Sequence, residues 1–405
     1  MIRRWLEDDI RAAMVSRRGV FLTGARQTGK TTLATMLEFA DVKRMTLDNE
    51  GTRTAALSDP ITFVERGDKQ TLVIDEVQKA VGILDAIKMR LDRDQTKGQY
   101  LLTGSSNLRF NKSVKDSLAG RLATIRLRPM TLAERRGRAP DFLGKAFKGV
   151  FEVPAQELGK RSVVHEAFVG GYPEQLEFSL HERRRWFRDY MTDLLTKDVK
   201  DVTEIRKVDV LMDVAVWLSA HSAQFFTVED LCTRAGITKV TAENYLEVLR
   251  ALYVFDRLPA WSKSDYDRIG KRAKWFVCDT GLMSSVLRWN EEDVLEDPQC
   301  NGKLIETWVY HQLVAQAELD GAYEITQYRD KDKREIDFLV ENDRGGLLGV
   351  EVKAGASVCD EDFRHLRWFS ANLARGDFQG VVLYAGSELL SFGDGLHAVP
   401  LACLG

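Results

Sequence analysis

The chain carries the stretch Gly24-Ala25-Arg26-Gln27-Thr28-Gly29-Lys30-Thr31-Thr32 directly after the apolar run 20–22. This spacing is typical of a phosphate-binding loop, in which two glycines let backbone amides point inward around a triphosphate. Lys30 is expected to reach the β- and γ-phosphates, and the Thr31 hydroxyl to ligate Mg²⁺. A helix that begins at Lys30 would add the positive end of its dipole. The stretch therefore predicts that residues 24–32 bind a nucleoside triphosphate, which we interpret as ATP, together with Mg²⁺.

Two carboxylates close a second apolar run, Thr71-Leu72-Val73-Ile74-Asp75-Glu76. Such a run predicts a buried parallel strand, and ligands bind at the carboxyl ends of parallel strands. We expect Asp75 to hold the Mg²⁺ ion and Glu76 to polarise the attacking water.

A third strand, residues 99–103, is followed by the polar segment Gly104-Ser105-Ser106-Asn107. Ser105 and Asn107 are predicted to support the site by orienting the water or sensing the γ-phosphate. The alternative is an ordinary polar turn.

Arg121, just ahead of the strand 122–127, is the candidate for a cation that completes the ATP site. It could act in its own subunit or from a neighbouring one. The alternative is a structural ion pair with Asp116 or Glu134.

Composition limits the classes of protein that fit. The chain has 405 residues, of which 44% are hydrophobic and 29% charged, and its net charge is −3. This indicates two to three globular domains. An acidic chain binds DNA only through local basic clusters, and the candidates are Arg183–Arg185 with Arg188, and Lys271–Arg272 with Lys274.

The cysteines and the N-terminus favour a reducing compartment. The five cysteines are scattered and form no metal-ligand or disulfide pattern. No segment has the apolar length of a membrane span, and the acidic N-terminal segment predicts an amphipathic helix packed on the ATPase rather than a signal peptide. We expect a cytoplasmic protein without membrane contacts.

The pattern of elements predicts an α/β protein in three parts. Residues 1–150 alternate strands and helices as a parallel sheet requires. Residues 151–285 are predicted to be a helical linker and a winged-helix domain, because a helix pair within 226–254 is followed by two strands. Acidic residues outnumber basic ones on that helix pair, so contact between subunits is as strong an interpretation as DNA binding. Residues 286–405 form a separate α/β domain.

The C-terminal part contains a set of acids beside a lysine. Glu306 lies on a predicted helix, Asp337 on one strand, and Glu351-Val352-Lys353 on the next. Asp337, Glu351 and the Val352 carbonyl could bind Mg²⁺ or Mn²⁺, with Lys353 positioning a water and Glu306 in support. A cross-strand ion pair is the alternative for Glu351 and Lys353.

The chain resembles a bacterial and archaeal family of AAA+-type P-loop ATPases with a C-terminal domain of unknown function. The motifs that carry this resemblance extend over nearly the whole chain and are the runs 22–33, 74–78, 102–106, 117–121, 170–173, 278–282, 335–338 and 351–353. The resemblance implies a P-loop NTPase domain and a restriction-endonuclease-like end domain. It also implies a metal role for Asp337 and Glu351, a water role for Lys353 and a supporting role for Glu306. Here Ile336-Asp337 stands where the nuclease motif has proline and aspartate.

Two functions follow from this sequence. The leading hypothesis is an ATPase that couples hydrolysis to DNA binding and to metal-dependent DNA cleavage. We expect it to act as a homo-oligomer without membrane contacts. The alternative is a regulatory ATPase whose nuclease-like domain is inactive and binds protein or nucleic acid.

Overall fold

The computed structural model describes residues 2–39, 41–66, 70–104, 120–154, 158–199, 207–262, 272–319, 321–374 and 376–405. The predicted supporting residues Ser105 and Asn107 lie outside these ranges, as do Asp116 and Lys271.

A five-stranded parallel sheet forms the N-terminal part. Its strands are β1 (Gly19–Thr23), β2 (Val42–Thr46), β3 (Thr71–Asp75), β4 (Tyr100–Thr103) and β5 (Ala123–Arg126). They follow the order β2-β3-β4-β1-β5, and every neighbouring pair is parallel. Strands β1 and β4 are buried along their whole length, which explains their unbroken apolar sequence. The carboxyl ends of β1, β3 and β4 therefore lie side by side at the same end of the sheet.

Helices cover this sheet. They are α1 (Leu6–Ser16), α2 (Lys30–Met36), α3 (Glu50–Ser58), α4 (Pro60–Glu65) and α5 (Ile83–Arg93). Helix α1 buries Leu6, Ile10 and Met14, whose spacing of four residues places them on one face. These side chains join the apolar cluster of β1 and β4, so the predicted amphipathic N-terminal helix is confirmed.

The middle part is mostly helical. Its elements are α6 (Leu132–Arg135), α7 (Phe142–Ala146), α8 (Lys160–Val169), α9 (Leu180–Asp193), a π-helical segment (Leu194–Asp198), α10 (Val208–Ala220), α11 (Val228–Ala235), α12 (Lys239–Ala251), β6 (Phe255–Leu258) and β7 (Lys274–Val277). Thr227 and Thr238 cap α11 and α12, and Gly236 adopts φ 63° between the two helices. The predicted helix pair and the antiparallel pair β6–β7 are confirmed.

A six-stranded mixed sheet forms the C-terminal part. The elements are α13 (Thr280–Val286), α14 (Glu291–Glu296), α15 (Pro298–Ala317), β8 (Tyr323–Arg329), β9 (Glu335–Asn342), β10 (Leu347–Lys353), α16 (Arg364–Asn372), β11 (Phe378–Tyr384), β12 (Leu390–Ser391) and β13 (Leu396–Pro400). The strand order is β12-β13-β11-β10-β9-β8. Strand β9 is antiparallel to both β8 and β10.

One apolar core extends from the middle part into the C-terminal part. It joins Val163 and Phe168 of α8 with Trp308 of α15 and Val350 of β10, and all four are buried. The predicted boundary between residues 285 and 286 thus falls inside a shared core. The division into three domains remains a prediction.

Each predicted basic cluster contains one side chain that is buried, Arg183 in the first and Lys274 in the second. Arg183 is buried and donates hydrogen bonds to Gln175 and to the carbonyl oxygen of Phe168. Lys274 is only 1% exposed. The expectation that these two side chains contribute to a DNA-binding surface is therefore wrong, because each has its donors occupied inside the protein.

Candidate functional sites

The loop after β1 has the backbone of a phosphate-binding loop. Gly24 has φ 145° and Gly29 has φ 94°, a region that side chains other than hydrogen disfavour. A Cβ atom at Gly24 would lie 2.2 Å from the carbonyl oxygen of Leu127. Helix α2 begins at Lys30, directly after the loop. The glycines are therefore required by the fold of the loop, as the sequence predicts.

The Lys30 ammonium lies inside this loop. Its Nζ donates hydrogen bonds to the carbonyl oxygens of Gly24 at 3.0 Å and Ala25 at 2.6 Å. Burial lowers the pKa of Lys30 to about 8, although the nearby carboxylates of Glu76 and Asp75 oppose this effect. The loop thus holds its own lysine at the place where the sequence predicts contact with phosphates.

Thr31 and Asp75 are in direct contact. The Thr31 hydroxyl donates to Asp75 Oδ1 at 2.9 Å, and the Thr103 hydroxyl donates to the same oxygen. Because β4 lies between β1 and β3, the side chain that ends β4 reaches both neighbouring loops. Thr103 was not predicted as a site residue, although it is the last residue of the third predicted strand.

Glu76 follows β3 in a left-handed conformation, with φ 60° and ψ 45°. Its backbone N–H donates to Thr103 Oγ1 at 3.2 Å, and its carboxylate accepts a hydrogen bond from Gln78. Burial raises the pKa of Glu76, an effect that Lys30 partly offsets. A residue other than glycine is disfavoured in this conformation by about 1 kcal/mol or more. The turn directs the Glu76 carboxylate toward Lys30.

The remaining side chains of the loop differ in their surroundings. Gln27, with φ 60°, and Thr32 are exposed. Thr28 is buried, and its hydroxyl donates to the Ala25 carbonyl oxygen at 2.9 Å. Arg26 donates to Asp198 Oδ1 at 3.0 Å, at the end of the π-helical segment. The loop is therefore joined to the middle part on the side of Arg26.

Arg4, which precedes α1, forms a hydrogen bond to the loop. The guanidinium is buried and donates to the carbonyl oxygens of Thr28 at 2.9 Å and Arg128 at 2.6 Å. It also donates to Glu134 Oε1 at 3.1 Å. The sequence analysis missed Arg4, because nothing in an arginine ahead of an amphipathic helix distinguishes a buried ion pair from an exposed side chain.

Arg121 lies near the amino-terminal ends of the strands, whereas the loop lies at their carboxyl ends. It precedes β5, whose first paired residue is level with Val20 near the start of β1, whereas the loop follows the end of β1. Its guanidinium donates to both oxygens of Asp92 on α5, at 2.6 and 2.9 Å. Action of Arg121 at the ATP site of its own subunit does not fit this placement.

Strands β9 and β10 bring Asp337 and Glu351 near each other. Asp337 Oδ2 accepts a hydrogen bond from the Val352 N–H at 3.0 Å. Glu351 Oε1 is buried and has no hydrogen-bond partner among the described residues. Burial and the charge of Asp337 raise the pKa of Glu351 well above its usual range. Lys353 forms an ion pair with Asp362 Oδ1 at 3.3 Å.

A buried lysine from the middle part enters this acid cluster. Lys274 Nζ lies 2.8 Å from Glu306 Oε1, 2.6 Å from Glu335 Oε1 and 3.3 Å from Asp337 Oδ1. Burial and Asp337 raise the pKa of Glu306 to about 8. Within the described ranges, no three His, Cys, Asp or Glu side chains are grouped to hold a metal ion. The ammonium thus takes one oxygen each of Glu306, Glu335 and Asp337, so a divalent ion at these acids would lie beside an existing positive charge.

The middle part contacts the ATP site at further points. The hydroxyls of Thr23, just before the loop, and Tyr253, just after α12, are 2.7 Å apart. Pro173 lies 4.0 Å from the position of a Cβ atom at Gly29. Pro173 belongs to the quoted run 170–173, in which the Gly171 N–H donates to Asp279 Oδ2 at 2.7 Å. This run therefore has a structural role beside the loop.

Comparison with known families identifies three segments. Residues 16–135 match the family model described as an AAA domain. Residues 160–293 and 301–404 each match a domain of unknown function, DUF8612 and DUF4143 respectively. Uncharacterized proteins of Mycobacterium tuberculosis and Mycobacterium bovis are each 24% identical over 383 residues, which cover 94% of this chain and 79% of the relative.

Two solved structures show weak similarity. AMPPCP-bound DnaA from Aquifex aeolicus is 12% identical, covers 62% of this chain and 89% of its own, and has a TM-score of 0.26. A RuvB variant from Thermotoga maritima is 15% identical, covers 64% of this chain and 90% of its own, and has a TM-score of 0.28. These scores are too low to support an argument.

Among the described residues, no helix combines the length and the apolar character that crossing a membrane requires. The parallel sheet, the loop around Lys30 and the family match agree with one another. Residues 16–135 thus match an AAA domain and have the parallel sheet and glycine loop of a P-loop NTPase-like domain.

Proposed function

We propose that the protein binds and hydrolyses ATP with Mg²⁺ and that hydrolysis changes the contacts between the P-loop and the rest of the chain. The observation that supports this most directly is the pairing of Thr31 with Asp75 at 2.9 Å, beside the buried Lys30 ammonium. An oxygen pair of this kind suits Mg²⁺, and a buried ammonium enclosed by a glycine loop suits a triphosphate.

Each residue has a separate role in this proposal. Lys30 exchanges the carbonyl oxygens of Gly24 and Ala25 for phosphate oxygens. Thr31 and Asp75 hold Mg²⁺, which neutralises charge on the phosphates. Glu76 accepts a hydrogen bond from the attacking water and orients it. The backbone amides of residues 24–32 surround the phosphates.

Movement of the loop would reach the middle part through contacts on three sides. The Arg26–Asp198 pair, the Thr23–Tyr253 hydrogen bond and Pro173 beside Gly29 connect the loop, or the residue just before it, with the middle part. A change at the phosphates therefore alters packing outside the ATPase domain. This is the basis for proposing a switch rather than an isolated hydrolase.

Replacement of Lys30 by alanine tests the ATPase proposal. We expect Lys30→Ala to abolish phosphate release and to weaken binding of a fluorescent ATP analogue, because the charge matched to the phosphates is lost. Lys97→Ala is the matched control. Lys97 is exposed and lies ahead of the amino-terminal end of β4, whereas the loop lies at the carboxyl ends of the strands. Wild-type hydrolysis by folded Lys30→Ala protein would overturn the proposal.

Assembly into a homo-oligomer would give Arg121 a second role. Its position leaves the ATP site of a neighbouring subunit as the place where it could act, and such a cation raises turnover about 10³–10⁵-fold in other nucleotidases. Mixing Arg121→Ala with Lys30→Ala tests this arrangement. Recovered ATPase activity supports sharing between subunits, and no recovery indicates a structural role for Arg121.

The C-terminal part has two candidate roles. Metal-dependent DNA cleavage is favoured by the placement of Asp337 and Glu351 on adjacent strands, with one Glu351 oxygen unpartnered among the described residues. A binding platform without cleavage is favoured by Lys274, whose ammonium takes the oxygens that a metal would need. We place the platform first, with DNA as one candidate ligand.

Cleavage assays on linear, flapped and branched DNA with Mg²⁺ or Mn²⁺ separate these roles. We expect wild-type protein to leave each DNA intact, and a gel-shift assay then tests the same DNAs for binding. Metal-dependent cleavage that Asp337→Asn abolishes, while ATP hydrolysis persists, would favour the nuclease instead.

A further inference from the structure

Lys274 reaches the acid cluster from another part of the chain. It begins β7, where it pairs with Leu258 of β6. Its three acidic partners come from two elements, Glu306 from α15 and both Glu335 and Asp337 from β9. The Lys274 side chain is 2% exposed, so this ammonium depends on the three carboxylates rather than on water.

The contacts match the bonding capacity of the ammonium. A lysine ammonium has three N–H donors and no acceptor, and three carboxylate oxygens lie 2.6–3.3 Å from Nζ. Carboxylate oxygens are also the ligands that Mg²⁺ and Mn²⁺ prefer. An ammonium that already neutralises these carboxylates opposes the binding of a divalent ion to them, because like charges a few ångströms apart repel.

Lys274 is also fixed in place. The β6–β7 pairing holds its backbone, and the Phe225 ring lies 5.4 Å from Nζ. Moving the ammonium out would leave three partly buried carboxylates without a counter-charge, which is costly unless another cation replaces it. The lysine therefore acts as a built-in counter-ion between the β6–β7 hairpin and the C-terminal sheet.

We propose that Lys274 is the resident cation of the cluster formed by Glu306, Glu335 and Asp337, and that it excludes divalent metal ions from these carboxylates. This inference rests on the platform and nuclease roles proposed for the same cluster. It predicts that metal binding there is controlled by Lys274, which lies outside the C-terminal sheet. Removal of the ammonium should convert the cluster into a metal site.

Binding of Mn²⁺ to the full-length, nucleotide-free protein, followed by electron paramagnetic resonance, tests the proposal. We expect Lys274→Met to bind one more Mn²⁺ ion than wild type, at least tenfold more tightly than any site at the cluster in wild type. The double variant Lys274→Met/Asp337→Asn should lose that ion. Lys303→Met is the matched control, because Lys303 lies on α15 one turn before Glu306 but donates to the Ala220 carbonyl oxygen.

A second variant covers the case in which Lys274→Met does not fold. Lys274→Met/Glu335→Gln removes one charge of each sign and keeps Glu306 and Asp337 as ligands. If a folded variant of either kind binds no more Mn²⁺ than Lys303→Met, the proposal is wrong. If neither variant folds, Mn²⁺ binding by wild type is compared with binding by Asp337→Asn. A wild-type Mn²⁺ site that Asp337→Asn abolishes overturns the proposal, and a wild-type protein without such a site supports it.

The assay also separates this inference from the proposed functions. A Lys274→Met protein that gains Mn²⁺ but cuts no DNA supports the resident cation and weakens the nuclease role. Wild-type protein that binds Mn²⁺ at Asp337 contradicts the resident cation, whether or not it cuts DNA.

Discussion

Lys30 is held by carbonyl oxygens of its own loop, so its charge has a binding partner before any phosphate arrives. Carbonyl dipoles compensate a buried ammonium less well than phosphate charges do, and the pKa of Lys30 is accordingly lowered to about 8. The residue is therefore sensitive to pH within the range in which ATPases are assayed.

ATP affinity should fall as the pH rises from 7 to 9. Phosphates favour the ammonium form, so the complex has a higher Lys30 pKa than the free protein, and binding takes up a proton above pH 8. Linkage then weakens affinity by up to about tenfold per pH unit. Titration of a fluorescent ATP analogue measures this, with Lys30→Arg as the control whose charge is retained. Constant wild-type affinity would contradict a lowered pKa.

Replacement of Glu76 by glutamine should slow hydrolysis while ATP binding remains. The Mg²⁺ ligands Thr31 and Asp75 are unchanged, but the water loses a carboxylate, a loss worth about 10²–10⁴-fold in rate. Because burial raises the pKa of Glu76, the wild-type rate should also decline as the pH falls through that raised value, since the protonated acid cannot accept a proton. Equal loss of ATP binding in Glu76→Gln and Asp75→Asn would indicate a structural role for Glu76.

At the scale of elements, the segment ahead of α1 supports the P-loop. Arg4 joins the Thr28 carbonyl oxygen to Glu134 at the end of α6, and both charged side chains are at most 7% exposed. Helix α1 packs on β1 through its apolar face. The loop is thus held by an element at the very start of the described chain as well as by the strand that precedes it.

Arg4→Met should lower stability by about 3 kcal/mol, because it leaves the buried Glu134 carboxylate without its cation. We also expect weaker ATP binding, since the Thr28 carbonyl oxygen loses a donor. Thermal unfolding followed by circular dichroism measures the effect, and Arg3→Met is the control because Arg3 is exposed. The double variant Arg4→Met/Glu134→Gln should recover part of the lost stability. If it recovers none, the unpaired Glu134 carboxylate is not the cause of the destabilisation.

At the scale of the molecule, a buried charge network joins the ATPase domain to the rest. Asp256 on β6 accepts from Arg126 at 2.8 Å and from Arg128 at 2.6 Å, and Arg128 also binds Glu318 after α15. Burial alone would raise the pKa of Asp256, but the two guanidinium groups bring it well below its usual range. The two guanidinium groups therefore favour the charged form of Asp256.

Asp256→Asn should destabilise the protein by about 3–5 kcal/mol, since it leaves buried arginine charge uncompensated. In calorimetry we expect two thermal transitions instead of one, because the N-terminal domain would unfold separately from the shared core of the other two parts. Asp213→Asn is the control, because Asp213 is exposed on α10. A single transition at the wild-type temperature would show that the network does not hold the domains together.

The P-loop, the strands around it and the acids that end them are predictable from the sequence, because spacing along the chain fixes which groups share one end of a parallel sheet. The β9–β10 hairpin with Asp337 and Glu351 is predictable as well, since alternation and a turn set the register. Which charges meet across long distances in the chain is visible only in the folded molecule. Arg4 at the loop, Arg121 on Asp92 and Lys274 among the acids each depend on the packing of separate elements, and a charged residue has the same local signature whether it is solvated or buried beside a partner.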